Sequence, residues 1–216
     1  MAVRKLLTRA ESQAQTGADL VAAAERLFLA EGYHATSIAA IAAEAGRTVG
    51  AVYSNFENKE SLCYEVIRQR VAAEGAKLVA IIAAAPEPVE ARLAILPTWW
   101  AEVSVDTAMI TLAGEYLATI IRDADQRSIA ADRLDRIIAT GRALLEDFLP
   151  AEVQPSSPLL DTAVRAVVAT GAGLAIGQAA QAVSLEEATG LLADTLRLWL
   201  SRLTLADQRG VSVRYS

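Results

Sequence analysis

Between Thr16 and Phe56 three segments of helical periodicity follow one another, separated only by short breaks marked by glycine or threonine. In "TGADLVAAAERLFLAEGY", Leu20, Ala24, Leu27 and Phe28 recur at i, i+4, i+7 and i+8, with Thr16 as an N-cap and Gly32 as a stop. In "ATSIAAIAAEAG", Ile38, Ile41, Ala42 and Ala45 recur at i, i+3, i+4 and i+7, opened by Ser37 and closed by Gly46. A third short helix runs from a Thr48 cap to about Ser54, with Val52 and Phe56 facing inward. Helices this short are marginal alone and must pack on one another. The second and third, joined by a tight glycine turn, have the spacing of a helix-turn-helix.

The remainder continues in helices. Asn58 caps a longer one from Lys59 to about Ala84, ended by Pro86 and Pro88. "EPVEARLAILPTWWAEVS" is kinked or split at Pro97, and "DTAMITLAGEYLATIIRD" and "QRSIAADRLDRIIATGRALLEDFL" follow. After the Pro/Ser-rich loop "PAEVQPSSP", Ser157 caps and Pro158 opens a small-residue helix reaching about Ala182. Ser184 and Glu187 form a capping box for a last helix to about Thr204. No period-2 run is long enough for a strand, and 53% hydrophobic residues suffice for a well-buried core. The expected fold is all-α with about nine helices.

Several function classes lack their parts. One cysteine, Cys63, excludes an internal disulfide and fits a reducing compartment; among Leu62 and Tyr64 it reads as a packed, inert thiol. With one histidine, His34, there is no metal cluster and no Cys-His or Ser-His-Asp arrangement, and no glycine loop cradles phosphate. No catalytic residue, metal site or cofactor is expected. Arg4 and Lys5 are followed by only Leu6 and Leu7, so no secretory signal is expected there. "AVVATGAGLAIGQAAQAV" is uncharged over a length near that of a membrane span, but its two glutamines and three glycines favour a buried helix of a soluble protein. No membrane association is expected, and a cytoplasmic location is.

The pattern Leu27-Phe28, Gly32-Tyr33, Thr36-Ser37, Ile41-Ala42, Ala45-Gly46, Gly50-Ala51-Val52-Tyr53, Phe56 and Lys59-Glu60 with Leu62 resembles the TetR family of one-component transcriptional repressors. The resemblance covers Thr16 to about Val66 and implies a ligand-responsive, sequence-specific regulator released from a palindromic operator by a small molecule. It divides the chain into an arm at residues 1–15, a DNA-binding head at 16–62 with the fourth helix bridging from Lys59, a ligand-binding and dimerisation domain at 63–205, and a tail at 206–216. The alternative is a helical-bundle interaction or small-molecule-binding protein without DNA binding.

In this reading the third helix enters the major groove of double-stranded DNA. Thr48, Val49, Gly50, Ala51, Ser54 and Asn55 face the bases, a set poor in bidentate readers, so Val49 or Ala51 would pack on thymine methyls. Tyr53 keeps its ring partly buried and reaches a phosphate, and Ser37 and Lys59 mark two helix starts that attract anions. Arg47 has two readings, a base or phosphate contact or a side chain lying over the helix pair. Arg4, Lys5 and Arg9 likewise either touch the DNA or belong to a tail without contacts. Residues 1–70 hold eight basic and eight acidic residues, and the rest 12 against 18, so no basic footprint marks the head.

Large side chains gather in the middle of the chain. Trp99, Trp100, Met109, Tyr116 and Phe148 are candidates to line a pocket for a small apolar or amphipathic effector, with Glu115 or Arg122 as a charged contact; ordinary core is the competing role. Glu115 also reads as a buried structural carboxylate. The last helix carries two apolar stripes: Leu192, Leu196, Trp199 and Leu203 on one side, Leu191, Leu198 and Leu205 on another. With Gly173 and Gly177 of the preceding helix, the second stripe is expected to form a homodimer interface. Tight intrachain packing is the other explanation for the glycines.

Overall fold

A computed structural model of the protein describes residues 8–84, 95–146 and 158–213, and all of its regular structure there is helical. The helices are α1 (Arg9–Glu31), α2 (Ile38–Glu44), α3 (Val49–Asn55), α4 (Lys59–Ala83), α5 (Leu96–Val103), α6 (Thr107–Ile121), α7 (Ala124–Glu146), α8 (Pro158–Ala179) and α9 (Leu185–Val213).

Most boundaries follow from local chemistry. Ser37 accepts from the Ala40 N–H at 3.0 Å and Thr48 from the Ala51 N–H at 3.1 Å, capping α2 and α3. The Asn58 side chain accepts from the Ser61 N–H at 2.7 Å and opens α4. Ser184 and Glu187 make the expected box before α9. Pro97 sits at the first turn of α5, where its missing N–H costs nothing. Gly32 and Gly46, with φ of 88° and 63°, take conformations that a side chain would strain.

The start of α1 differs from the expectation. Thr16 does not cap; its hydroxyl donates to the Ser12 carbonyl within the helix. The helix begins at Arg9 because Thr8 and Glu11 form a reciprocal box, with the Glu11 carboxylate accepting from the Thr8 N–H at 2.7 Å. These bonds hold the Glu11 carboxyl below its ordinary pKa. The first turns bury no apolar face, so periodicity alone does not reveal them. Similarly, α9 continues to Val213, past the expected end near Thr204.

The chain divides into two compact units. The first comprises residues 1–73 and 111–122, and its core joins Leu20, Val21, Ala23, Ala24 and Phe28 of α1 to Ile41 and Ala42 of α2, Val52 of α3 and Leu62, Cys63 and Val66 of α4. Leu112, Tyr116 and Ile120 of α6 are buried in the same unit. Burial pushes the Cys63 thiol up to about 12, which leaves it protonated and unreactive.

The second unit holds residues 74–110 and 123–216, with α8 packed between α7 and α9. One cluster gathers Ile138, Leu160, Ala163, Val164 and Leu203; another gathers Trp100, Leu192 and Leu196. α8 is long and apolar enough to cross a membrane, with a mean hydropathy of 1.5, yet its Leu160, Ala163, Val164 and Gly171 lie in this core. A Cβ on Gly171 would stand 3.4 Å from the Trp100 ring, so here the glycine serves contact within the chain. The same holds for Gly177, where a Cβ would meet Val183 at 3.2 Å, while Gly173 has nothing within 4 Å. On α9, Leu192, Leu196 and Leu203 are buried, whereas Leu191, Leu198 and Leu205 remain 51%, 58% and 54% exposed.

Candidate nucleic-acid interface

α2 and α3 are held at a fixed angle by the turn between them. The Arg47 N–H donates to the Ala42 carbonyl at 2.8 Å and the Gly46 N–H to the Ala43 carbonyl at 3.0 Å. Val52 anchors α3 into the head at 1% exposure, which turns the opposite face outward: Tyr53 is 58% and Val49 42% exposed. A Cβ on Gly50 would approach only the Thr48 hydroxyl, at 3.8 Å, so nothing in the head requires glycine there. The effect of Gly50 is outward, a backbone that a flat surface can approach closely.

The polar side chains at the end of α3 bond back to their own helix. The Ser54 hydroxyl donates to the Gly50 carbonyl and the Asn55 amide to the Ala51 carbonyl, both at 2.8 Å. Asn55 and Ala51 are half-buried. The exposed face of α3 therefore offers Thr48, Val49, Gly50, Tyr53 and Ser54, with little that can read a base by paired hydrogen bonds.

Two cations expected at this face are committed elsewhere. Arg47 donates to Asp19 at 2.6 Å, bracing the turn against α1; that bond holds the Asp19 carboxyl below its ordinary pKa. The Lys59 ammonium, at the start of α4, lies 4.3 Å from the centre of the Tyr33 ring. Desolvation lowers its pKa, and Glu60 and Glu115 act in the opposite direction. Lys59 is thus drawn toward the head rather than standing free at the helix end.

Tyr33 is the hub of this arrangement, although the sequence places it only within the Gly32-Tyr33 pattern and assigns it no role in the site. Its hydroxyl donates to Glu60 at 2.9 Å, its ring lies 5.7 Å from Phe28 and 6.5 Å from Tyr116, and its N–H donates to the Glu115 carboxylate at 2.6 Å. Desolvation and Glu60 drive the phenol pKa upward. Glu115, half-buried on α6, is a structural carboxylate: its oxygens lie 3.2–3.3 Å from where a Cβ on Gly32 would stand. Glu115 and Tyr116, candidates for an effector contact or for ordinary core, are engaged by the α1–α2 turn.

The other expected pocket residues are spread differently. Trp99, Trp100 and Met109 belong to the second unit, with Trp100 packed on Leu192 and Leu196 and Trp99 beside them. Arg122 is exposed just after α6, and Phe148 lies outside the described residues. The indole nitrogens of Trp99 and Trp100, the Ser104 hydroxyl and the Gln178 side-chain oxygen are buried without a hydrogen-bond partner among the described residues. Ser104 and Gln178 carry no sequence signal that would have marked them.

Residues 20–66 match the family model described as bacterial regulatory proteins, tetR family. Among solved structures, the chain is similar to a transcriptional regulator from Rhodococcus sp. RHA1, with 24% identity and a TM-score of 0.67, covering 85% of this chain and 96% of that one. A TetR-family regulator from Mesorhizobium loti shares 17% identity with a TM-score of 0.59, over 90% and 98% of the two chains. The regulator FadR from Bacillus subtilis, solved in complex with stearoyl-CoA, shares 16% identity with a TM-score of 0.59, over 85% and 97%. At these identities the likeness establishes the fold. Among curated proteins, none matches the chain.

Proposed function

We propose that this chain, whose residues 20–66 form a TetR-family head on a TetR-regulator fold, is a ligand-responsive, sequence-specific DNA-binding regulator: a cytoplasmic homodimeric repressor released from a palindromic operator by a small molecule. It works without catalysis. The observation that carries the reading is the α2–turn–α3 unit, with capped helix starts at Ser37 and Thr48 and an outward face of Val49, Gly50 and Tyr53. The helix ends present N–H groups to phosphate, Tyr53 offers an exposed hydroxyl, and Val49 meets thymine methyls. A gel-shift with genomic fragments tests it: a folded dimer that shifts no fragment specifically at low salt belongs to the helical-bundle alternative.

Lys59 has two competing partners, the Tyr33 ring and a phosphate. If DNA draws the ammonium off the ring, Lys59→Ala weakens binding to all sequences and flattens the salt dependence by about one unit. An unchanged slope, with a lower melting temperature, assigns Lys59 to packing of the head alone.

For the effector, the buried indole N–H groups of Trp99 and Trp100, with Met109 nearby in sequence, support a mostly apolar molecule bearing hydrogen-bond acceptors. The stearoyl-CoA of the Bacillus subtilis neighbour is an amphipathic molecule of this general kind. Release requires the effector to bind the non-DNA form more tightly, and a hundredfold preference corresponds to about 2.7 kcal/mol. A thermal-shift screen followed by DNA release, on the protein and on Trp99→Phe, tests the assignment. Stabilising molecules that leave DNA affinity unchanged, or respond identically in the variant, remove these tryptophans from the effector site.

A further inference from the structure

The first turns of α1 lie beside α3 and leave a groove of about 400 Å³ between the two helices, lined by Arg9, Ser12, Gln13 and Thr16 of α1 and Ala51, Ser54 and Asn55 of α3. Its lining is polar and apolar in about equal measure. The Thr16 and Ser54 hydroxyls and the Asn55 amide already donate to carbonyls of their own helices, so Arg9, Ser12 and Gln13 of the first turns of α1 are the donors it offers to a ligand. Glu11, the acid of the first turn, is not part of it; its carboxylate folds back onto the Thr8 N–H. The next acid along the helix, Asp19, is held by Arg47. The groove is therefore positively biased although the head as a whole has no net charge.

We infer that the α1–α3 groove seats a sugar–phosphate strand, with Arg9 as its charged contact and Gln13 as a neutral donor. The inference rests on α3 entering the major groove, as proposed above. A helix with its side chains is about 10–12 Å across and the major groove about 12 Å wide. One helix fills it, so a second helix packed alongside lies over the bounding phosphate ridge. Donors that contact backbone there position the protein without reading bases. The groove also compensates for what α3 lacks, since Arg47 and Lys59 are held within the head. The capping box at Thr8 and Glu11 is the structural condition, because it keeps Arg9 and Gln13 on a formed helix.

The test uses the full-length protein and its selected operator, titrated across salt concentrations. Arg9→Ala lowers affinity about tenfold near 0.1 M salt and reduces the salt slope by about one unit, equally on operator and on unrelated duplex. Gln13→Ala lowers affinity about fivefold with the slope unchanged, and Gln13→Glu lowers it further. Both positions of substitution are exposed, so the three variants keep the wild-type melting temperature. Wild-type binding with unaltered affinity and slope in Arg9→Ala and Gln13→Glu overturns this inference and leaves the α3 reading intact. Absence of operator binding by the wild-type protein removes both. An effect of Arg9→Ala confined to the operator also overturns it, since a backbone contact does not distinguish sequences.

Discussion

Leu198→Glu is expected to convert the protein to a monomer and to lower operator affinity by about a hundredfold or more. Leu198 is the middle of three exposed leucines at heptad spacing on α9, and each would contribute about 1.5–3 kcal/mol when buried against a partner. A carboxylate in that position forfeits this and adds the cost of burying a charge. The opposite stripe of the same helix, Leu192, Leu196 and Leu203, is already buried within the chain, so the fold of a Leu198 variant should survive. Exposed Ile176 and the open space at Gly173 extend the candidate face onto α8. A monomer offers one recognition helix instead of two and loses the effective concentration that linkage provides. Sedimentation and gel-shift on the same preparation check both halves. A variant that remains dimeric places the interface elsewhere.

The second large effect is expected at Glu115. Its carboxylate accepts the Tyr33 N–H from 82 residues away, a charge-assisted bond at 2.6 Å that joins α6 to the α1–α2 turn. Glu115→Leu leaves that donor unpaired in a partly buried site and should cost about 1.5–3 kcal/mol. For a chain of this size the melting temperature falls by about 3–12 °C. The turn it anchors leads through Thr36 directly into the Ser37 cap of α2, so DNA affinity should fall along with stability. Glu115→Gln retains an acceptor without the charge and should lose about half as much. Equal melting temperatures for wild type and Glu115→Leu would show that the carboxylate does not hold the turn.

Sequence legibility follows the range of the interactions. Caps and stops at Ser37, Thr48, Asn58, Gly32 and Gly46 depend on residues a few positions apart, and each lies where the local pattern put it. The two stripes of α9 were readable because periodicity alone separates Leu192 from Leu191. Thr16 misled because a threonine hydroxyl can cap a helix or bond back within one, and the polar turns before it offer no period to choose between these. Arg47 and Lys59 were legible only in part. Their charges were legible, but their partners, Asp19 and the Tyr33 ring, are set by how α1, α3 and α4 pack. The Glu115–Tyr33 bond had no local signature: a carboxylate on an apolar helix pointed to a buried structural group, but nothing near it in sequence named the partner.

Selection of bound sequences from random duplex DNA, followed by footprinting, tests most directly that a dimer reads DNA through α3. The expected result is an inverted repeat whose half-sites present successive major grooves, about 34–36 Å apart. Val49→Ala should change the base preference within each half-site while leaving the spacing intact. Recovery of no preferred sequence, or of one unchanged in preference by Val49→Ala, would contradict the account.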